Sequence, residues 1–171
     1  MHDPDIAAII VHTSALFRLA LGMSQDHPAS IGEQAKPPHT ITYVQDAVTL
    51  LQPVVRGSPV EVLQALYLDR QDRLVAHRIL NSGTENRTLI TPRQVLQPAM
   101  KVDAHSLFIA HNHPSGDPTP STEDVRATLL LIEAARPLGI QVRDHIVLTQ
   151  TQHYSMREEG LIGPGSVSGW L

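Results

Sequence analysis

Leu107–Asp124 reads LFIAHNHPSGDPTPSTED, and its reading decides the fold. Leu107, Phe108, Ile109 and Ala110 make an apolar run of strand length. The chain then enters a Pro/Gly-rich loop, Pro114 to Pro120, and leaves it on Ser-Thr-Glu-Asp, a helix start. Successive side chains of a strand point to opposite faces, so His111 and His113 share one face. Two imidazoles on one face suit a cation that takes nitrogen ligands, and Asp124, folded back by the loop, supplies a third ligand. Two His and one carboxylate leave a fourth tetrahedral position for water, the pattern of a catalytic zinc.

The bare His-x-His pair is weak. With ten His in 171 residues, about one such chain in two contains it by chance. Two histidines at a strand end are its ordinary reading. Asp124 likewise has an ordinary reading, because Ser121-x-x-Asp124 has the form of a capping box, with Ser121 as N-cap and Asp124 favoured by the helix dipole. The two readings are compatible, since a cap can fix a ligand. The letters His111-Asn112-His113 spell the name of a nuclease motif that is dispersed over a hairpin and a helix, so the run is a coincidence.

The whole string, H-x-H-P-S-G-x-x-x-P-S-x-x-D, carries more. It resembles the JAMM metal motif of the JAB/MPN metallopeptidase superfamily, and its wording resembles the RadC family. Ser and Asp at fixed positions each reduce the chance rate by about an order of magnitude. The stretches EVLQALYLDRQDRLV, NSGTENRTLITPRQVLQPAM and VRDHIVL extend the resemblance over residues 42–162.

Composition bounds the rest. A chain of 171 residues that is 42% hydrophobic can bury a core. Zero Cys leaves His and carboxylates as the metal ligands. There is no apolar run of membrane-spanning length, and the N-terminus carries Asp3 and Asp5 rather than a basic leader, so no membrane segment and a cytoplasmic location are expected. Net charge is −4 with two Lys, Lys36 and Lys101, and aromatic side chains are few. Tight nucleic-acid binding is therefore not expected.

Residues 1–40 read as an N-terminal helix (4–22) and a Pro-rich linker. That helix is expected to pack on the domain or on a neighbouring copy, which makes a homo-oligomer an option. Residues 41–162 read as the domain, and residues 163–171 as a flexible tail. Within the domain the pattern predicts a helix over Thr42–Val55 ending or bending at Pro53, and a strand over Glu61–Leu68. A turn and a returning strand over Arg73–Leu80 complete a hairpin, followed by a loop at Asn81-Ser82-Gly83. A short strand over Arg87–Ile90 follows. A helix with Thr91 as N-cap, Pro92 at N1 and Gln94 at N3 runs to about Val102, with a kink at Pro98. After the His strand come a helix over Glu123–Arg136, a strand over Val142–Leu148 and a short element over Tyr154–Leu161. This order makes an α/β domain with a mixed β-sheet flanked by helices. The resemblance implies a JAB/MPN, cytidine-deaminase-like architecture. The helix-hairpin-helix module of the family's larger members is not expected in residues 1–40.

The resemblance also assigns roles. It implies a hydrolase of peptide or isopeptide bonds, acting on a protein or peptide substrate, with Zn²⁺ on His111, His113 and Asp124. Glu61 matches the Glu that serves JAMM enzymes as general base, and Ser121 matches the Ser that assists at the oxyanion. Glu85 is the other nearby carboxylate. Asp144-His145 is read as structural, with a place beside the zinc as the alternative, and His77, His105 and His153 as ordinary histidines. A DNA-repair factor without peptidase activity and a zinc-stabilised interaction module are the rival functions.

Overall fold

The computed structural model describes residues 39–82 and 90–163. The predicted helix over 4–22, the linker, Glu85, most of the predicted strand at 87–90 and the tail from residue 164 lie outside the described residues. Ile90 itself is in neither helix nor strand.

Seven consecutive buried residues, VLQALYL, form β1 (Val62–Leu68). A run buried on both sides belongs in the middle of a covered sheet. Its partner β2 (Leu74–Ser82) returns antiparallel through a turn held by the Asp69 carboxylate, which accepts from Gln71 N–H and Arg73 N–H. Asn81 and Ser82, expected in a loop, extend this strand by pairing with Leu63 and Val62. β3 (Ser106–Asn112) lies antiparallel on the other side of β1, β4 (Gln141–Leu148) runs parallel to β3, and β5 (His153–Ser155) closes the edge. The sheet order is β2-β1-β3-β4-β5.

Alternation sorts the side chains onto the two faces. Val62, Leu66, Leu68, Phe108, Ala110, Ile146 and Leu148 pack under α1 (Val44–Val55). Leu63, Ala65, Tyr67, Leu107 and Ile109 pack against α2 (Pro92–Lys101) and α3 (Thr122–Ala135). Among the described residues the result is an α/β fold, a mixed five-stranded sheet flanked by three helices.

The helix signals fared differently. α1 runs past Pro53 and ends at Val55. α2 has Pro92 at its first turn, but the Thr91 side chain makes no cap, and Gln94 Nε2 instead donates to Leu80 C=O at 2.7 Å, tying the helix to β2. Pro98 sits inside this helix, which continues to Lys101. α3 has the predicted capping box. Ser121 Oγ accepts from Asp124 N–H at 3.1 Å, and the Asp124 carboxylate accepts from Ser121 N–H at 2.8 Å. A 3-10 turn (Arg136–Leu138) and Gly139, at φ 68°, end it, a conformation that glycine adopts without Cβ strain.

Candidate metal centre

β3 and α3 bring His111, His113 and Asp124 together at the carboxyl end of β3. One ligand atom from each lies within 4.8 Å of the other two. His111 is the buried anchor, its side chain 3% exposed, while His113 and Asp124 sit at the rim at 16% and 17%. The two Nε2 atoms stand 2.9 Å apart, and Asp124 Oδ2 lies 3.7 Å from one and 3.9 Å from the other.

Each imidazole is held from behind. His113 Nδ1 is 2.8 Å from the backbone carbonyl of Asp117, which only accepts, so this nitrogen carries the proton. That carbonyl is presented by a turn in which Gly116 N–H donates to His113 C=O and Gly116 adopts φ 87°. His111 Nδ1 is 2.8 Å from His145 Nε2. Burial lowers the pKa of His111 and is the largest influence on it. The Asp124 charge opposes this, the nearby His113 adds to it, and the Glu61 charge also opposes it. With Nδ1 of each ring held from behind, His113 by a carbonyl and His111 by His145, the two Nε2 atoms turn towards one point. The donor set of two imidazoles and a carboxylate fits a zinc-type cation there.

Asp124 is oriented by its own cap. Ser121 Oγ–H donates to Asp124 Oδ2 at 2.6 Å, the oxygen nearest the imidazoles. The hydroxyl proton of Ser121 is thus committed to the carboxylate.

Glu61 directly precedes β1, two residues before Leu63, whose cross-strand partner is His111. It is half-buried, and its charge is felt at His111. Its backbone neighbours are clamped by Asn112, which the sequence reading passed over. Asn112 Oδ1 accepts from Val62 N–H, and Asn112 Nδ2 donates to Val60 C=O. The signal was present in the alternation. With both histidines on one face, the residue between them must point to the other.

Asp144 and His145, treated as a pair from the sequence, part company. The Asp144 carboxylate accepts from Ser155 Oγ–H at 2.5 Å and from the backbone N–H groups of Arg157 and His145. Burial raises its pKa, and those hydrogen bonds oppose the rise. It fastens β5 to β4. His145 is fully buried and stands directly behind His111, with Nδ1 2.6 Å from Thr128 Oγ1. Burial lowers its pKa well below the ordinary range, and the two neighbouring histidines add to this. His77 is half-buried in the hairpin, with Nε2 2.8 Å from Gln64 Oε1.

Residues 41–161 match the model of the RadC-like JAB domain. Among curated proteins, the chain is 37% identical over 126 residues to a UPF0758 protein of Methanococcoides burtonii, covering 74% of this chain and 55% of that one. It is 39% identical over 120 residues to a UPF0758 protein of Syntrophomonas wolfei, covering 70% and 51%. A UPF0758 protein of Methanosarcina mazei is 34% identical over 127 residues, covering 74% and 56%. The chain thus spans about half the length of these relatives. With the metal-ligand geometry and the match agreeing over the same residues, the chain belongs to the family of RadC-like JAB domains.

Proposed function

We propose that this domain is a zinc-dependent hydrolase of the JAMM type, cleaving peptide or isopeptide bonds in a protein or peptide substrate. The observation that carries the proposal is the convergence of two imidazole Nε2 atoms, 2.9 Å apart, with a carboxylate oxygen beside both. A zinc ion held by His111, His113 and Asp124 supplies Lewis acidity that makes water a nucleophile near pH 7.

The chain's own residues do the rest. Glu61, at the start of β1, takes the proton released as water adds to the carbonyl and returns it to the leaving amine. A carboxylate suits this because it can be recharged within each turnover. Ser121 holds the Asp124 carboxylate towards the histidines through its hydroxyl, and to assist at the oxyanion of the substrate it would turn that proton from Asp124 to the carbonyl oxygen. Asn112 fixes the backbone on both sides of Glu61.

The test has two arms. Protein purified without chelator or nickel resin should carry close to one zinc per chain. Peptide and isopeptide-linked reporters should be cleaved by the wild type and not by Glu61→Gln. Absence of stoichiometric metal, or equal turnover by the variant, would overturn the reading.

A further inference from the structure

Two polar side chains, Thr128 and His145, stand in series behind the proposed metal ligands. Thr128 Oγ1 is 2.6 Å from the backbone carbonyl of Asp124, one helical turn earlier, and 2.6 Å from His145 Nδ1. His145 Nε2 is 2.8 Å from His111 Nδ1, and His111 Nε2 faces His113 Nε2. Thr128, His145 and His111 are all buried.

The protons along this series can be assigned from one end. A carbonyl oxygen only accepts, so a contact of 2.6 Å requires the single hydroxyl proton of Thr128 to point at Asp124 C=O. Thr128 Oγ1 must then accept from His145, which places a proton on His145 Nδ1 and leaves Nε2 bare. A bare Nε2 can only accept, so His111 carries its proton on Nδ1. Its Nε2 is left with an exposed lone pair.

We infer that Thr128 and His145 are positioning residues that lock His111 into the one tautomer able to bind a metal through Nε2. Resting on the zinc reading above, this names what keeps the buried ligand loaded. The anchor of the series is the carbonyl of Asp124, whose side chain is the third ligand. The two ligands farthest apart in the motif are therefore coupled through α3 and β4 as well as through the metal. With Val at position 128, the His145 Nδ1 proton loses its acceptor. His145 can then adopt the opposite tautomer and donate from Nε2, which forces the proton of His111 onto Nε2 and blocks the ligand atom.

Two measurements test this. In a zinc-competition titration of metal-free protein, Thr128→Val should bind zinc about 10- to 100-fold more weakly than the wild type. Thr128→Ser, which keeps the hydroxyl, should bind within about threefold of wild type by the same reasoning. Equal zinc affinity of Thr128→Val and wild type would overturn the inference. Independently, ¹⁵N-resolved imidazole spectra of metal-free wild type should show His111 protonated on Nδ1, and a proton on Nε2 would overturn it. Failure of wild type to bind zinc would instead sink the proposed function, while the ¹⁵N spectra would still decide the tautomer. His145→Phe adds a second variant, expected to weaken zinc at least as much. Because it also changes a fully buried side chain, the Thr128 pair keeps the test independent of its folding.

Discussion

The side-chain amide of Asn112 bridges two backbone groups on either side of Glu61: Oδ1 accepts from Val62 N–H at 2.8 Å and Nδ2 donates to Val60 C=O at 3.0 Å. One residue of β3 thereby fixes the approach to β1, while its neighbours on either side, His111 and His113, belong to the candidate metal centre. Asn112→Ala should lose both bonds; Val60 C=O keeps the Ser58 hydroxyl as a donor, but the buried Val62 N–H loses its side-chain acceptor, destabilising the fold by about 2 kcal/mol. Zinc stoichiometry should stay at one, because all three ligands hang from β3 and α3. Urea unfolding and metal analysis check the two halves, and a stability unchanged from wild type would count against the clamp.

His113→Ala should lose most of the bound zinc, and a His111/His113/Asp124 triple alanine variant all of it. Zinc at about 100 times its dissociation constant should stabilise the wild type by about 2.7 kcal/mol. The triple variant should show no such upward shift in Tm. Stoichiometric metal retained by the triple variant would exclude this site.

Glu61→Gln should keep fold and zinc but lower hydrolysis by about 10² to 10⁴. An amide is close to the carboxylate in shape but cannot take up and return a proton. His111→Ala should lose metal and activity together, and that contrast separates a catalyst from a scaffold that only holds zinc.

Stability should fall in mild acid. Burial depresses the pKa of His77 from 6.5 to about 4, with the Arg78 charge adding to this. Between those values the unfolded chain binds a proton that the folded chain refuses, so stability rises with pH through that window and falls as pH drops through it. From pH 7 to pH 5 the loss attributable to His77 is about 2 kcal/mol. Denaturant unfolding at both pH values should show it, and His77→Gln should flatten the dependence. An equally steep loss in the variant would assign the effect to other groups.

DNA should bind weakly. A net charge of −4 supplies no overall positive field to attract phosphates. Gel-shift titration at about 150 mM salt should show no tight complex, whereas a nanomolar one would favour a role on DNA.

The parts of the site that the sequence made legible are those closed within a few residues. His111 and His113 share a face by strand alternation, and Ser121 and Asp124 cap a helix by a local rule, so both relations could be read from spacing alone. His145 could not. It reaches His111 only because β4 runs parallel to β3 with Ile109 opposite His145. That register depends on a bulge between Leu107 and Phe108 and on the packing of α3, not on any local signal. The Thr91 cap failed for a related reason. Gln94 has a tertiary acceptor in Leu80, and that contact replaces the local one. Asn81 and Ser82 joined β2 because β1 offered them partners at its first residues.

The two halves of the site differ in how far the chain must travel to build them. Thirteen positions separate His111 from Asp124, whereas fifty separate Glu61 from His111. Closing the longer segment costs about 1 kcal/mol more in chain entropy, and it also requires the β1–β3 pairing to be in register. The candidate ligands thus sit within one β3–loop–α3 segment, whereas Glu61 reaches them only through the β1–β3 pairing. Substitutions that disturb that pairing should therefore lower turnover per bound zinc more than they lower zinc occupancy.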